Sequence, residues 1–366
     1  MIVLIIAIIL LMTIIQYRST LDPLKGIEFD YHPTKLLVEP DEDFDIITTV
    51  TNTRRRFVPY IKLDQVFPKD LSIDGLKATL INDAREYSRY MATLYLMPKS
   101  KHIRRIKATL PRRGRFLFQG AYMRGGDFLG FSDQLRKYSL IREVIVYPKE
   151  ISVGNIDMVM GGIMGDVSVR RLVIEDPILT VGFRDYTGRE PMKAISWNHS
   201  ARVGKLMVKQ FDFTIDPAIS VILDVEGDGY EGDSEKKELA FSAVRNVCQN
   251  LENQGMKYDF LTNATTSDSI SRWSYLSESI GARHFGTIME GLGRATYTHV
   301  ESFTRLAEAF VGKRLYDRFV ILITVKDRAD VAAEIAYIEN NNGGKVYVIS
   351  AAEFMVAPAE DAEIAG

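Results

Sequence analysis

Residues 218–233 read AISVILDVEGDGYEGD and determine how the second half of the chain folds. The first six residues are almost continuously apolar, which is typical of a parallel strand buried on both faces of a sheet. Five carboxylates and three glycines follow within the next ten residues. Because open α/β sheets place their sites at the carboxyl ends of strands, this loop is a candidate ligand site.

Buried strands and amphipathic helices alternate through the rest of this half. Apolar residues recur at spacings of three and four in 234–254, 303–310 and 331–338, which predicts helices. Further apolar runs at 258–261, 319–324 and 345–350 predict strands. The pattern predicts a doubly wound parallel sheet over residues 217–352, followed by a C-terminal tail at 353–366.

Asp224, Glu226 and Asp228 are the candidate metal ligands of the acidic loop. Carboxylate oxygens are the ligands that Mg²⁺ and Ca²⁺ prefer, so the sequence leaves open a bound ion of either kind. The alternative is an acidic loop that is simply solvated. A dinucleotide-binding loop is excluded, because the GxGxxG pattern is absent.

The composition excludes several classes of function. A net charge of -2 over 366 residues provides no basic field for nucleic acid. No GxSxG motif occurs, and no histidine has the HExxH spacing of a metalloprotease. His199 is a conceivable base near Asp185, but a structural role beside Trp197 fits better. We therefore expect no catalysis and no small-molecule substrate.

The first half of the chain has the pattern of short β-strands. Runs such as 44–50 and 60–64 are β-branched or alternate apolar with polar residues, and turn residues separate them. Residues 27–150 are therefore predicted to form an antiparallel β-sandwich. Residues 151–216 are predicted to be a hinge, with a flexible Gly- and Met-rich connector at 155–166.

Residues 1–15 carry no charge, glycine or proline. This run predicts a transmembrane anchor at residues 1–17, although about 20 apolar residues are usual. A signal peptide is the first alternative, but it requires a basic start and a cleavage site. A buried core segment is the second. Arg18 and Lys25 follow the run, so we expect a single-pass cell-membrane protein with a cytoplasmic body.

Residues 183–212, FRDYTGREPMKAISWNHSARVGKLMVKQFD, concentrate aromatic and charged residues. They fit either an aromatic and basic ligand site or a long loop clamped to the following strand by buried ion pairs. Composition alone does not decide between these two interpretations.

This stretch resembles the most specific motif of a bacterial family known as domain of unknown function 58. That motif is an Arg-acidic-Tyr triplet, then Gly, then Ile and Trp, then Ser-Ala-Arg. The matching residues are Arg184, Asp185, Tyr186, Gly188, Ile195, Trp197, Ser200, Ala201 and Arg202. The resemblance extends over nearly the whole chain, including 112–115, 125–131 and 146–148.

The resemblance implies an α+β multidomain fold. Its parts would be an N-terminal transmembrane helix, an antiparallel β-sandwich and a doubly wound α/β domain of von Willebrand A type. Family members often accompany MoxR-type AAA+ ATPases, which implies such a partner.

The sequence departs from the family at several points. Arg189 replaces an acidic residue after the Gly, and one membrane segment is visible where many relatives have two. The Asp-x-Ser-x-Ser metal motif of von Willebrand A domains corresponds to Asp224, Glu226 and Asp228. Their later metal-binding Asp corresponds to Val325, beside Lys326. These changes count against a normal metal site.

Two functions are therefore expected from the sequence. The first is a membrane-anchored protein-interaction module or assembly adaptor that acts with a cytosolic MoxR-type ATPase. The alternative is a divalent-metal-dependent, adhesion-like ligand-binding domain that uses the acidic loop. The Arg184–Arg202 motif would be an interaction surface or an interdomain clamp. We expect a clamp, because Trp and Tyr bury large areas.

Overall fold

The computed structural model describes residues 2–20, 23–73, 79–80, 87–126, 133–151, 154–173, 180–188, 190–211, 218–227, 233–267, 274–316 and 318–356. Asp228 of the predicted metal site and most of the predicted tail lie outside these ranges. The chain divides into two compact units. Unit 1 comprises Met1–Lys149 with Leu292–Arg294, and unit 2 comprises Glu150–Gly291 with Ala295–Gly366.

Unit 1 consists of one N-terminal helix and short strands within its described residues. The helix is α1 (Ile2–Thr20). The strands are β1 (Ile27–Pro33), β2 (Leu37–Val38), β3 (Phe44–Asn52), β4 (Val58–Pro68), β5 (Ser72–Ile73), β6 (Thr79–Leu80), β7 (Tyr87–Leu96), β8 (Lys101–Thr109), β9 (Gly114–Phe118), β10 (Gly120–Gly126), β11 (Asp133–Tyr138) and β12 (Arg142–Val146).

Three sheets surround the core of unit 1. Their strand orders are β1-β3-β8-β5, β11-β10-β4-β7-β6 and β2-β12-β9. β1 and β3 alternate buried and more exposed residues along their whole length, as strands with one face on a core do. Side chains from all three sheets form one buried apolar cluster. Within it, the hydroxyl of Tyr31 lies 2.8 and 2.7 Å from the backbone carbonyl oxygens of Phe118 and Leu140, which share its single proton.

Unit 2 alternates helices and strands. Its helices are α2 (Gly154–Val173), the short 3₁₀ helix η1 (Met192–Ala194), α3 (Trp197–Val203), α4 (Ser234–Asn253), α5 (Ala282–Arg294), α6 (Phe303–Gly312), α7 (Ala332–Asn342) and α8 (Ala351–Val356). Its strands are β13 (Thr180–Asp185), β14 (Met207–Phe211), β15 (Ile219–Asp224), β16 (Tyr258–Thr262), β17 (Ala264–Thr266), β18 (Tyr275–Ser279), β19 (Ala295–His299), β20 (Phe319–Thr324) and β21 (Val346–Ser350).

The main sheet of unit 2 has the strand order β18-β16-β15-β20-β21. β15 pairs in parallel with β16 and β20, β20 pairs in parallel with β21, and β18 is an antiparallel edge. Every residue of β15 and β20 is buried, which explains their continuous apolar sequences. The parallel strands all end at one edge of the sheet, and the acidic loop begins at this edge.

The predicted fold class is wrong. Strands hold 41% of the residues and helices 31%, so the chain is mostly β-sheet, and its described residues do not include the predicted transmembrane helix. β18 is antiparallel, and β17 with β19 forms a separate two-stranded sheet. These short strands have no continuous apolar run, and most of their residues are half-buried or exposed, so the sequence pattern does not predict them.

The predicted transmembrane anchor at residues 1–17 is also wrong, and with it the single-pass cell-membrane localisation. Within the described residues, no helix is both long enough and apolar enough to cross a membrane. The near-continuous apolar run has only 15 residues, and α1 continues into Gln16, Arg18 and Ser19. A span normally needs about 20 apolar residues.

The predicted flexible connector at 155–166 is part of a helix. α2 covers it, and Ile156, Met160 and Ile163 are buried at spacings of four and three. That spacing gives a helix one apolar face. The glycines of this segment led to the prediction of a flexible connector. The three buried apolar side chains stabilise a helix instead.

Candidate functional site

Polar side chains stand at the carboxyl end of each parallel strand of unit 2. Asp224 ends β15, Asn263 directly follows β16, Thr324 ends β20 and Ser350 ends β21. Because these strands end at one edge of the sheet, the four residues lie along the same edge. Together with Glu226 and Lys326 we call them the carboxyl-edge cluster.

Asp224 is the buried centre of the carboxyl-edge cluster. Its Oδ1 accepts hydrogen bonds from Asn263 Nδ2 at 2.7 Å and from the backbone N–H of Glu226 at 3.0 Å. Its Oδ2 accepts from Thr324 Oγ1 at 2.9 Å. Burial raises the pKa of Asp224, while these donors and the charge of Lys326 oppose the shift. A carboxylate with this many donors is held in one orientation.

Lys326 supplies a positive charge to the same cluster. Its Nζ lies 2.8 Å from Glu226 Oε2, and that oxygen also accepts from the backbone N–H of Phe303 at 2.7 Å. Partial burial opposes ionisation of Glu226, but the contact with Lys326 lowers its pKa. Partial burial likewise opposes protonation of Lys326, yet Glu226 raises its pKa. Glu226 therefore binds both an ammonium and the N-terminus of α6, where a carboxylate is favoured.

The cluster bears directly on the predicted metal ligands. Asp224 and Glu226 lie together, but protein donors already contact three of their four carboxylate oxygens. Asp228 lies outside the described residues. The described part of the chain contains no group of three or more His, Cys, Asp or Glu that could hold a metal. The ammonium of Lys326 lies beside these carboxylates and supplies the positive charge that a bound divalent cation would supply.

Three members of the environment were missed by sequence reasoning. Asn263 also donates to the carbonyl of Glu301 and accepts from the N–H of Val225. Ser350 Oγ donates to the carbonyl of Lys326 at 2.8 Å. The only sequence signal for Asn263 is a polar residue directly after an apolar run. The N–H of Phe303 carries no sequence signal at all.

The residues that resemble the family motif lie in a small substructure, which we call the motif hairpin (residues 180–188 and 190–211). β13 and β14 pair antiparallel, and η1 and α3 lie in the connection between them. Ser200 Oγ donates to the carbonyl of Ser196 at 2.8 Å and accepts from the N–H of Met207 at 2.8 Å. Ser200 thus ties α3 to β14, and this local role accounts for one motif residue.

Glu190 accepts hydrogen bonds at the end of the motif that contains the Arg-acidic-Tyr triplet. Arg184 Nη1 donates to Glu190 Oε1, and Thr187 donates to Glu190 from both its backbone N–H and its hydroxyl. Gly188 sits in this turn with a φ of 88°, a conformation that favours glycine. Partial burial opposes ionisation, but the donors from Thr187 and Arg184 lower the pKa of Glu190 to about 2.

Trp197 does not form the buried clamp that we expected. The indole side chain opens α3 and has 59% of its surface exposed. Asp185, Ala201 and Arg202 are also exposed, and Tyr186 is half-buried. The described ion pair of the hairpin, Arg184–Glu190, leaves half of the Arg184 side chain in solvent. The motif hairpin therefore presents several of its large apolar side chains outward.

The conceivable catalytic pair is not formed in the described residues. His199 stacks on Phe183, with ring centroids 4.0 Å apart and planes 9° apart. No hydrogen bond joins His199 to Asp185 in the part of the chain that the structure describes. The ring contact of His199 is therefore with Phe183, whereas the sequence favoured a structural role beside Trp197.

Comparison with known proteins gives only distant similarities. No family model matches the sequence, and no curated protein matches it. Among solved structures, the CARDB domain of the PF1109 protein from Pyrococcus furiosus is 15% identical and covers 33% of this chain and 94% of its own, with a TM-score of 0.21. A cohesin module from a Clostridium perfringens family 33 glycoside hydrolase is 10% identical and covers 33% and 95%, with a TM-score of 0.23. Spo0M, a sporulation control protein from Bacillus subtilis, is 15% identical and covers 44% and 58%, with a TM-score of 0.20.

Similarities this distant carry no argument about activity. They provide no support for the von Willebrand A assignment, which we withdraw together with the predicted fold class. The resemblance to domain of unknown function 58 and the implied MoxR-type partner stay predictions.

Proposed function

We propose that this chain is a protein-interaction module or assembly adaptor that docks a partner through the motif hairpin. The observation that supports the proposal is the exposure of Trp197 on an ordered element. Trp is the side chain most enriched at the energetic centres of interfaces, because it buries a large area at low entropic cost. The proposed role is binding rather than catalysis.

The apolar surface of the motif hairpin extends beyond Trp197. Four other large apolar side chains of the hairpin are between 40% and 68% exposed: Phe183, Met192, Val203 and Leu206. Exposed apolar residues concentrated in so short a segment are typical of protein contact surfaces. A partner that covered them would remove this surface from water.

The backbone beneath this surface is fixed before any partner arrives. Ile195 and Val208 are buried and paired in a β-bridge, and Ser196 donates its N–H to the carbonyl of Met207 at 2.8 Å. Gly204 ends α3 in a left-handed conformation and donates to the carbonyl of Ser200. A preorganised surface loses less conformational entropy on binding, which favours affinity.

Charge indicates which kind of partner fits. Lys193, Arg202 and Lys205 are exposed, and none of them forms an ion pair within the described residues. The two acidic residues of the hairpin are Asp185 and Glu190, and Glu190 is paired with Arg184. A partner surface with acidic groups around an apolar centre would complement this arrangement. A MoxR-type AAA+ ATPase is the first candidate, because the sequence resemblance implies it.

The test is direct binding between the full chain and a purified MoxR-type ATPase from the same organism, with ATP hydrolysis blocked. Trp197→Ala should weaken binding about thirtyfold or more, the loss expected for an interface residue worth about 2 kcal/mol. Its melting temperature should stay within a degree or two of the wild type. Tyr316→Ala is the matched control, since Tyr316 is an aromatic residue of unit 2 with 66% exposure.

Three results would count against the proposal. A Trp197→Ala variant that melts much earlier and binds normally would restore the clamp interpretation. A wild-type chain that does not bind the ATPase would remove that partner class, and normal binding by the variant would remove the docking surface.

A further inference from the structure

We propose that unit 1 binds a single-chain fatty acid or a closely similar long-chain carboxylate in a cleft between two of its sheets. The cleft lies between the β3–β8 and β4–β7 strand pairs and has a volume of about 500 Å³. Ligand pockets commonly measure about 300–1,000 Å³. The proposal is independent of the motif hairpin, which belongs to unit 2.

The cleft exists because neither sheet has a further strand on that side in the described residues. β6 pairs with β7 only at Ser88 and Arg89, and β5 pairs with β8 only at Ala108 and Thr109. The stretches 91–96 of β7 and 101–107 of β8 therefore face each other without a covering strand. This leaves an opening into the space between the sheets.

One wall of the cleft is apolar. Leu63 of β4 lies directly opposite Ala92 of β7, and both line the cleft. Along the same face of β7, Tyr90 and Leu96 are buried, whereas Ala92 and Leu94 between them are only half-buried. The core is thus incompletely filled at the centre of this strand. Small Ala92 leaves the room that a larger residue would take.

The other wall carries both apolar and positive groups. Arg104 of β8 lies opposite Thr48 of β3, and His102 lies opposite Val50. All four line the cleft, together with Lys101. Burial increases inward along this face of β8, from exposed His102 through half-buried Arg104 to Ile106, which is 4% exposed. The charges therefore stand at the outer half of the cleft.

The basic side chains at this position are available to a ligand. Neither Arg104 nor Lys101 has an ion pair or side-chain hydrogen bond with any described residue, and the same holds for the ring of His102. A half-buried guanidinium without an anionic partner is unusual, since buried charges are normally paired. A carboxylate at the mouth would satisfy it by a charge-assisted hydrogen bond. The alkyl chain would then lie against Leu63, Ala92 and Val50.

This chemistry excludes ligands that lack either part. A small anion would leave the apolar wall uncovered, and an uncharged lipid would leave Arg104 unpaired. A linear chain with one acidic head satisfies both walls.

The experiment measures dodecanoate binding to the full chain by isothermal titration calorimetry below the micellar concentration. We expect saturable binding with one site, weakened about fourfold for each methylene removed in decanoate and octanoate. Arg104→Met should weaken binding tenfold or more. Arg105→Met is the matched control, because Arg105 is the next residue of β8 and faces the opposite side of the sheet.

A second variant tests the cleft without changing any charged residue. Ala92→Phe should fill the cleft and abolish dodecanoate binding while leaving the melting temperature equal or higher. Circular dichroism of each variant confirms that it is folded.

The proposal fails if dodecanoate does not saturate, or if the two arginine variants lose affinity equally. It also fails if dodecyltrimethylammonium binds as well as dodecanoate, because the basic mouth would then have no role. A dimer in solution whose formation excludes dodecanoate would overturn it in favour of strand pairing between two copies of the chain.

Discussion

Replacing Lys326 by methionine tests how much its ammonium group stabilises the two carboxylates of the carboxyl-edge cluster. The change retains the length of the side chain and removes the ammonium that lies 2.8 Å from Glu226 Oε2. Glu226 keeps its hydrogen bond from the N–H of Phe303, and Asp224 keeps its three donors. The variant therefore isolates the contribution of one charge.

The expected loss of stability follows from how exposed the Lys326–Glu226 ion pair is. The side chains of Lys326 and Glu226 are 29% and 26% exposed, between a surface pair and a buried one. Exposed ion pairs contribute about 0–1 kcal/mol, and hydrogen bonds to charged groups about 1.5–3 kcal/mol. We expect the variant to lose about 1–2 kcal/mol. For a unit of this size that corresponds to a fall of about 2–8 °C in melting temperature.

The assay is thermal unfolding of the full chain with and without millimolar Ca²⁺ or Mg²⁺. Binding to the native state raises stability by mass action. If the ammonium stands where a divalent cation would, the metal should stabilise Lys326→Met more than the wild type. Lys345→Met is the control, since Lys345 is 61% exposed and pairs with Asp166 at the surface of the same unit. An exposed pair of this kind is worth about 0.5 kcal/mol, so the melting temperature of Lys345→Met should change by less than about 2 °C.

Two outcomes would refute the reasoning. An unchanged melting temperature for Lys326→Met would mean that the ammonium does not hold the cluster. Equal stabilisation of wild type and variant by Ca²⁺ would mean that the lysine does not replace a cation, and would revive the metal-dependent function.

Three further predictions concern single titrating groups. The pKa of Glu190 is lowered from 4.5 to about 2, so its carboxylate stabilises the fold above about pH 4.5, and this is lost as the pH falls towards 2. The free energy of unfolding of Glu190→Gln, measured with urea, should therefore change less with pH across this range than that of the wild type. Burial raises the pKa of Cys248, so a thiol reagent such as Ellman's reagent should label it only at the rate of unfolding. Burial lowers the pKa of His284 below 6.5, so the folded state binds fewer protons and stability falls as the pH drops below about 6.5. His284→Phe, which keeps a ring against Tyr258, should remove that fall in melting temperatures measured from pH 7.5 to 5.5.

In unit 2, the clearest strand signals in the sequence come from strands whose every residue is buried. The apolar runs at 218–223 and 319–324 become β15 and β20, because a strand covered on both faces has a continuous apolar signal. β18 has no such signal, since its residues are half-buried or exposed. It occupies a sheet edge, where packing demands less of the sequence.

The site was only partly predictable for a different reason. Asp224 and Glu226 could be named because they follow a recognisable strand. Their partners Asn263, Phe303 and Lys326 lie 37 or more residues away along the chain and meet them only through the order of strands in the sheet. Sequence patterns report local periodicity and do not report this order.

Trp197 shows why the sequence did not predict which side chains of the motif hairpin are exposed. The expectation of burial used the average behaviour of tryptophan, which is highly buried in most proteins. Residue type does not state which side of a seven-residue helix faces outward. In α3 the buried side is taken by Ser200, whose hydroxyl bonds to β14.

The uncovered edge of β8 also affects how the protein behaves at high concentration. An exposed strand edge is a template for edge-to-edge aggregation, and natural proteins often place lysine there to prevent it. β8 carries exposed Lys101, Arg105 and Lys107 along that edge, so two copies approaching through β8 repel each other. Added salt shortens the range of this repulsion to about 8 Å at physiological ionic strength and to about 3 Å at 1 M. The storage lifetime of a concentrated sample therefore depends on the ionic strength of its buffer as well as on its melting temperature.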